Sequence, residues 1–107
     1  MEHSLTGWDI ASARDVEWAP WGPRGQAQAK LIASADGYHV VLVVAEAGYA
    51  TDPHVHGYPE FLYVIDGTLR TQGHELPPGG AYAAAAGSVH TELRTDSGAT
   101  YLSIFKL

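Results

Sequence analysis

The stretch Gly48-Tyr-Ala-Thr-Asp-Pro-His54-Val-His56-Gly-Tyr-Pro-Glu60, with six residues between Glu60 and Gly67, is the most informative in the chain. It sets two imidazoles two residues apart and a carboxylate four further on, between two glycines. Successive side chains of a β-strand point to opposite faces, so His54 and His56 fall on the same side. Imidazole nitrogen and carboxylate oxygen together form a donor set suited to a divalent transition metal. His90, in a second strand-like stretch downstream, is placed to complete that set. The expectation is a metal held inside a small β-barrel.

Size and composition are consistent with this. A chain of 107 residues supports one domain, and a domain of that length buries roughly 65% of its unfolded surface. An apolar fraction of 46% with three tryptophans and six tyrosines argues for a folded core. The net charge is −6 and the six basic residues are scattered from Arg14 to Lys106. Nucleic-acid binding by phosphate neutralisation is therefore not expected. Cysteine is absent, which excludes disulfides and thiolate metal sites and fits a reducing compartment. Residues 1–10 lack the basic and apolar regions of a signal peptide, and the longest apolar run, residues 40–45, is too short to span a bilayer. A cytoplasmic protein with no membrane association is expected.

Residues 1–25 read as an irregular N-terminal arm and residues 26–107 as a barrel. Residues 9–17 suit a short helix, which Trp18-Ala-Pro-Trp-Gly-Pro-Arg-Gly25 cannot continue. Thereafter the pattern is β. Residues 26–34 alternate small and polar side chains, and Asp36-Gly37 is a hairpin dipeptide. The valine-rich residues 38–46 read as a strand buried on both faces or nearly so. Residues 61–66, 68–72, 81–86, 89–95 and 99–107 follow, separated by turn residues at Gly67, Gly73-His74 and Pro77-Pro-Gly-Gly80. The count is about eight strands of ordinary length. An all-β double-sheet jelly roll closes such a set economically.

Gly48-x5-His54-x-His56-x3-Glu60-x6-Gly67 resembles the first cupin motif at every defined position. The second motif is matched in part: Gly79, Ala85 in place of proline, Gly87, His90, and Arg94 in place of asparagine. The resemblance to RmlC-like cupins runs over residues 26–105. It implies a cupin double-stranded β-helix with His54, His56, Glu60 and His90 as ligands of one divalent transition metal (Fe, Zn, Ni, Mn or Cu). The two departures fall on positions that are not ligands in that family. Physical chemistry agrees with the set. Glu60 shares a strand face with Leu62 and Val64, where an unpaired carboxylate and buried imidazoles would be costly without a cation. Three nitrogens and one oxygen leave two octahedral positions open.

Other residues carry two readings each. Glu92 and Arg94 share a face with His90 if that strand is regular. Arg94 would then clamp an anionic group, or form a salt bridge with Glu92 or Asp96 at the rim. Glu60 and Glu92 are candidates for proton handling, and Tyr58 for bordering the opening. The alanines at 83–86 leave room for a ligand or admit a bulky neighbour such as Phe61. Trp8, Trp18 and Trp21 pack across a sheet or a partner subunit, or form an aromatic wall of the pocket. His3, His39 and His74 fit no constellation.

Trp18-Ala-Pro-Trp-Gly-Pro and the first motif are most similar to ChrR-like cupins, a group of anti-sigma metal domains and stand-alone relatives, some of them dioxygenases that cleave diketones or hydroxy ketones. That resemblance implies a metal-dependent dioxygenase with a small-molecule substrate, expected to be a homodimer. The alternatives are a non-catalytic metal- or ligand-sensing cupin, and an isomerase or lyase.

Overall fold

Two glycine turns set the strand register. Asp36 and Gly37 both take positive φ, 53° and 82°, the type I′ hairpin geometry that joins Ala35 to Tyr38. Gln72 and Gly73 repeat it at 51° and 78°, joining Thr71 to His74. His74 therefore begins a strand rather than completing the turn.

The computed structural model describes residues 5–107. It contains β1 (Ala19–Trp21), β2 (Ala27–Ala35), β3 (Tyr38–Ala45), β4 (His54–Val55), β5 (Glu60–Gly67), β6 (Leu69–Thr71), β7 (His74–Leu76), β8 (Ala81–Ala84), β9 (Val89–His90), β10 (Leu93–Arg94) and β11 (Ala99–Lys106). One 3-10 turn, Ala13–Asp15, falls within the segment that suits a helix. Among the described residues no α-helix forms, and no helix is long and apolar enough to cross a membrane. The strand count exceeds the expected eight for three reasons. Residues 89–95 break into two short strands, Ala19–Trp21 of the arm pairs with β2 as an edge strand, and His74–Leu76 forms a strand after the Gln72-Gly73 turn.

All pairings are antiparallel. A six-stranded sheet runs in the order β1-β2-β3-β11-β5-β8, faced by a three-stranded sheet β10-β6-β7 and the short ladder β4-β9. The core between them contains Val41, Val43, Tyr49, Leu62, Val64, Leu69, Leu93 and Tyr101. Gly67 allows the closest chain approach: a Cβ there would lie 2.3 Å from the Gly98 carbonyl oxygen. No residue with a side chain fits that crossing.

One expectation for β3 fails. Val41 and Val43 are fully buried, but Val44, on the opposite face, is exposed. Val40 and Leu42 on that face are half-buried, and residues 7–9 lie beside Val40 and Ile104. Among the described residues no second sheet covers the outer face of the six-stranded sheet.

Candidate metal centre

The β4-β9 ladder places His54 directly opposite His90, and neighbouring cross-strand side chains meet at about 5 Å. His56 lies just beyond β4, where its backbone bonds Ser88 and Gly87 keep the two segments together. Each pair of rings among His54, His56 and His90 has centroids 5.1 Å apart. Their ring nitrogens supply three atoms within 4.8 Å of one another. Glu60, the first residue of β5, stands beside two of them. Its Oε2 lies 3.4 Å from His56 Nε2 and 3.7 Å from His90 Nδ1.

Proton bookkeeping shows which nitrogens face inward. Ser88 Oγ donates to the Ala85 carbonyl at 2.6 Å, so it accepts from His56 Nδ1 at 2.9 Å. Thr71 Oγ1 donates to the Glu92 carbonyl at 2.9 Å, so it accepts from His90 Nε2 at 2.9 Å. His54 Nδ1 donates to the Asp52 carbonyl at 2.9 Å. Each imidazole thus has one nitrogen held by an outer acceptor and the other left bare. His56 Nε2 and His90 Nδ1 face each other at 3.2 Å with no proton assigned between them, and the Glu60 carboxylate adds a third electron-rich atom.

Such a convergence of lone pairs is repulsive unless a cation sits among them. Donors held about 2.1 Å from one ion, 90–109° apart, lie roughly 3.0–3.4 Å from each other. The observed separations of 3.2, 3.4 and 3.7 Å are close to that range. With the ring nitrogens of His54, His56 and His90 all within 4.8 Å of one another, the three-histidine cluster suits a divalent metal. Burial holds His90 below the ordinary imidazole range, opposed by the charge of Glu60 and reinforced by its imidazole neighbours. The neutral, ligating form is favoured.

Tyr82 donates to Glu60 Oε2 at 2.5 Å and stacks edge-on against His90, centroids 5.6 Å apart. Burial, then the Glu60 charge, raises its proton affinity well above that of an ordinary phenol. It remains a donor. Burial likewise raises the proton affinity of Tyr49 and Tyr101. Tyr49 is seated against Gly22, where a Cβ would come 2.5 Å from the ring.

A cavity of about 300 Å³ opens on the cluster, lined by Trp21, Tyr49, His54, Tyr58, Lys106 and Phe105 among others. Trp21 thus takes the aromatic-wall role, whereas Trp8 is exposed and Trp18 covers Lys30. Tyr58 borders this opening. A second cavity of about 400 Å³ reaches His56 and His90 from between β7 and β8 and is lined by residues 81–85. The alanine run leaves space here. Phe61 pairs with Ala83 on the outer face instead of entering the barrel.

Glu92 and Arg94 do not share the face of His90. The strand breaks at residues 91–92, and buried Leu93 and Thr95 take over the inner positions. Arg94 Nε bonds Glu92 at 2.8 Å and its Nη1 bonds Asp96 at 2.8 Å, with Arg70 adding a contact to Glu92 at 3.4 Å. The hydrogen bond from Arg94 holds the Glu92 carboxyl below its usual range, and Glu92 in turn raises Arg94. Neither side chain lines either cavity. His39 bonds Ser34 and His74 lines only the second cavity; His3 lies outside the described residues. Sequence reasoning missed Thr71, Tyr82 and Ser88. Only Ser88, between Gly87 and His90, carried a positional hint.

No curated protein matches the chain at the sequence level. Solved structures match its fold throughout. A protein of Methylibium petroleiphilum PM1 proposed to be an acetylacetone dioxygenase superposes with a TM-score of 0.84 at 18% identity, over 99% of this chain and 81% of that one. An acetylacetone dioxygenase from Acinetobacter johnsonii gives 0.77 at 14% identity, over 99% and 77%. The anti-sigma protein ChrR of Rhodobacter sphaeroides, in complex with SigE, gives 0.72 at 20% identity, over 89% of this chain and 51% of that one. The architecture is that of a cupin. The sequence profile of the ChrR cupin-like domain matches residues 8–106, and the chain belongs to that family.

Proposed function

We propose that this protein is a metal-dependent dioxygenase acting on a small diketone- or hydroxy-ketone-type substrate at a mononuclear centre of His54, His56, Glu60 and His90. The observation that carries this reading is the set of bare nitrogens facing one another beside an open cavity. Likeness to two acetylacetone dioxygenase structures supports the substrate class. A bound redox-capable divalent ion would supply Lewis acidity to the substrate oxygens and an electron route to dioxygen.

The chain's own residues prepare that chemistry. Ser88, Thr71 and the Asp52 carbonyl fix the imidazole orientations. Tyr82 fixes Glu60 by its hydroxyl proton. Tyr49 and Tyr101 both line the cavity, and burial keeps both phenols protonated, so either can offer its hydroxyl proton to a substrate oxygen. Trp21, Leu62 and Phe105 give that cavity apolar walls that limit water. Glu60 is the group positioned to take a proton from an enolisable substrate. In the reaction a carbon–carbon bond of the substrate breaks and both atoms of dioxygen enter the products.

The exposed Val44, Phe61 and Tyr63 share the outer side of the large sheet. These apolar side chains support a homodimer formed through that face.

Oxygen uptake by the Fe(II)-loaded protein tests the activity. With pentane-2,4-dione, uptake matching substrate loss is expected. Binding without uptake would favour a sensing module instead.

A further inference from the structure

We infer that Lys106 selects a substrate bearing a carboxylate beside its metal-binding oxygens. This inference rests on the reading of the four donors as a divalent-metal centre. Lys106 lines the cavity that contains His54, His56 and Glu60. Its stem lies over the Asp36-Gly37 turn, where a Cβ on Gly37 would come 2.8 Å from Lys106 Cε. Its Nζ sits 4.6 Å from the centre of the Tyr58 ring and 5.7 Å from that of Tyr38. The side chain is therefore seated, not trailing in solvent.

Its charge is unpaired among the described residues. Arg24, Arg70 and Arg94 each meet a carboxylate, and Lys30 donates to the Ala13 carbonyl at 2.8 Å. No hydrogen bond or ion pair reaches Lys106 Nζ; two aromatic faces hold it. Cation–π contacts orient an ammonium without neutralising it.

The charge count of the cavity gives the ligand class. Glu60 is the one carboxylate in its lining and Lys106 the one permanent cation. Three neutral imidazoles, a divalent ion and Glu60 leave one positive charge, and Lys106 brings a second. A neutral diketone bound as its enolate cancels only the first. An enolisable diketone in which one terminal alkyl group is replaced by carboxylate cancels both.

The test uses zinc-loaded protein, in which no redox turnover occurs, and two probes of nearly equal size: pentane-2,4-dione and 2,4-dioxopentanoate. Affinities are read by calorimetry or by the fluorescence of Trp21 at the cavity wall. Lys106→Met is expected to weaken 2,4-dioxopentanoate binding by about tenfold, the lower range for a charge-assisted bond at a half-buried site, and to change pentane-2,4-dione by less than about twofold. Lys106→Arg should restore most of the loss. Equal effects on both probes, or no effect on either, would overturn the role of Lys106 while leaving the metal centre intact. If neither probe binds the zinc-loaded wild type, the diketone-type substrate reading falls and the Lys106 inference with it, while the metal centre stands on its measured zinc content.

Discussion

Strand β5 has two apolar faces with different fates. Leu62 and Val64 are 3% and 0% exposed inside the barrel, whereas Phe61, Tyr63 and Ile65 on the other side are 45%, 51% and 48% exposed. Hydrophobicity alone does not distinguish them; what lies opposite does. The inner residues face the short sheet and the histidine ladder, and among the described residues no second sheet covers the outer ones. Histidines divide the same way. His56 and His90 are buried with bare nitrogens converging, and His39 and His74 find ordinary partners or solvent. A side chain's role here follows from the face it occupies.

Substitutions on the two sides should separate accordingly. His56→Ala removes an inner nitrogen and should lower zinc affinity by more than about a hundredfold, beyond the usual cost of losing an outer-shell partner. His74→Ala should leave it unchanged; similar losses in both, by competition with a chelating dye, would mean the ligand choice is wrong. Leu62→Ala should cost about 3 kcal/mol in urea unfolding, through lost burial and a cavity. Thr71→Val keeps the shape of the side chain but removes the acceptor of His90 Nε2, so zinc affinity should fall about tenfold with little change in fold. Smallest is Phe61→Lys on the outer face, within about 0.5 kcal/mol for the isolated fold. Its effect should appear instead in sedimentation, as a shift from dimer to monomer. A sedimentation profile identical to wild type would remove the case for pairing through that face.

Parity reasoning succeeded where strands are regular. Glu60, Leu62 and Val64 could be placed together because β5 stays in register until the bulge near Ile65. His54 and His56 were legible for the same reason, and both hairpin glycines announced themselves. The approach failed at residues 91–92, where one break reverses every following side chain and takes Glu92 and Arg94 to the rim. The partners of the imidazoles were not legible at all. Thr71 meets His90 only through folding of β6 against β9, and Tyr82 reaches Glu60 only through the β5-β8 register. Such contacts depend on tertiary placement that local pattern does not encode. The valine-rich β3 misled for a related reason: Val44 on its outer face is apolar yet exposed, so hydrophobicity did not report cover.

The central claim is that His54, His56, Glu60 and His90 converge on a divalent metal. Elemental analysis of protein reconstituted with zinc or Fe(II) and freed of loose ion tests it most directly. The expected result is close to one metal per chain, lost in His56→Ala and retained in His74→Ala. Wild-type protein that holds no metal after reconstitution, while remaining folded, would contradict it.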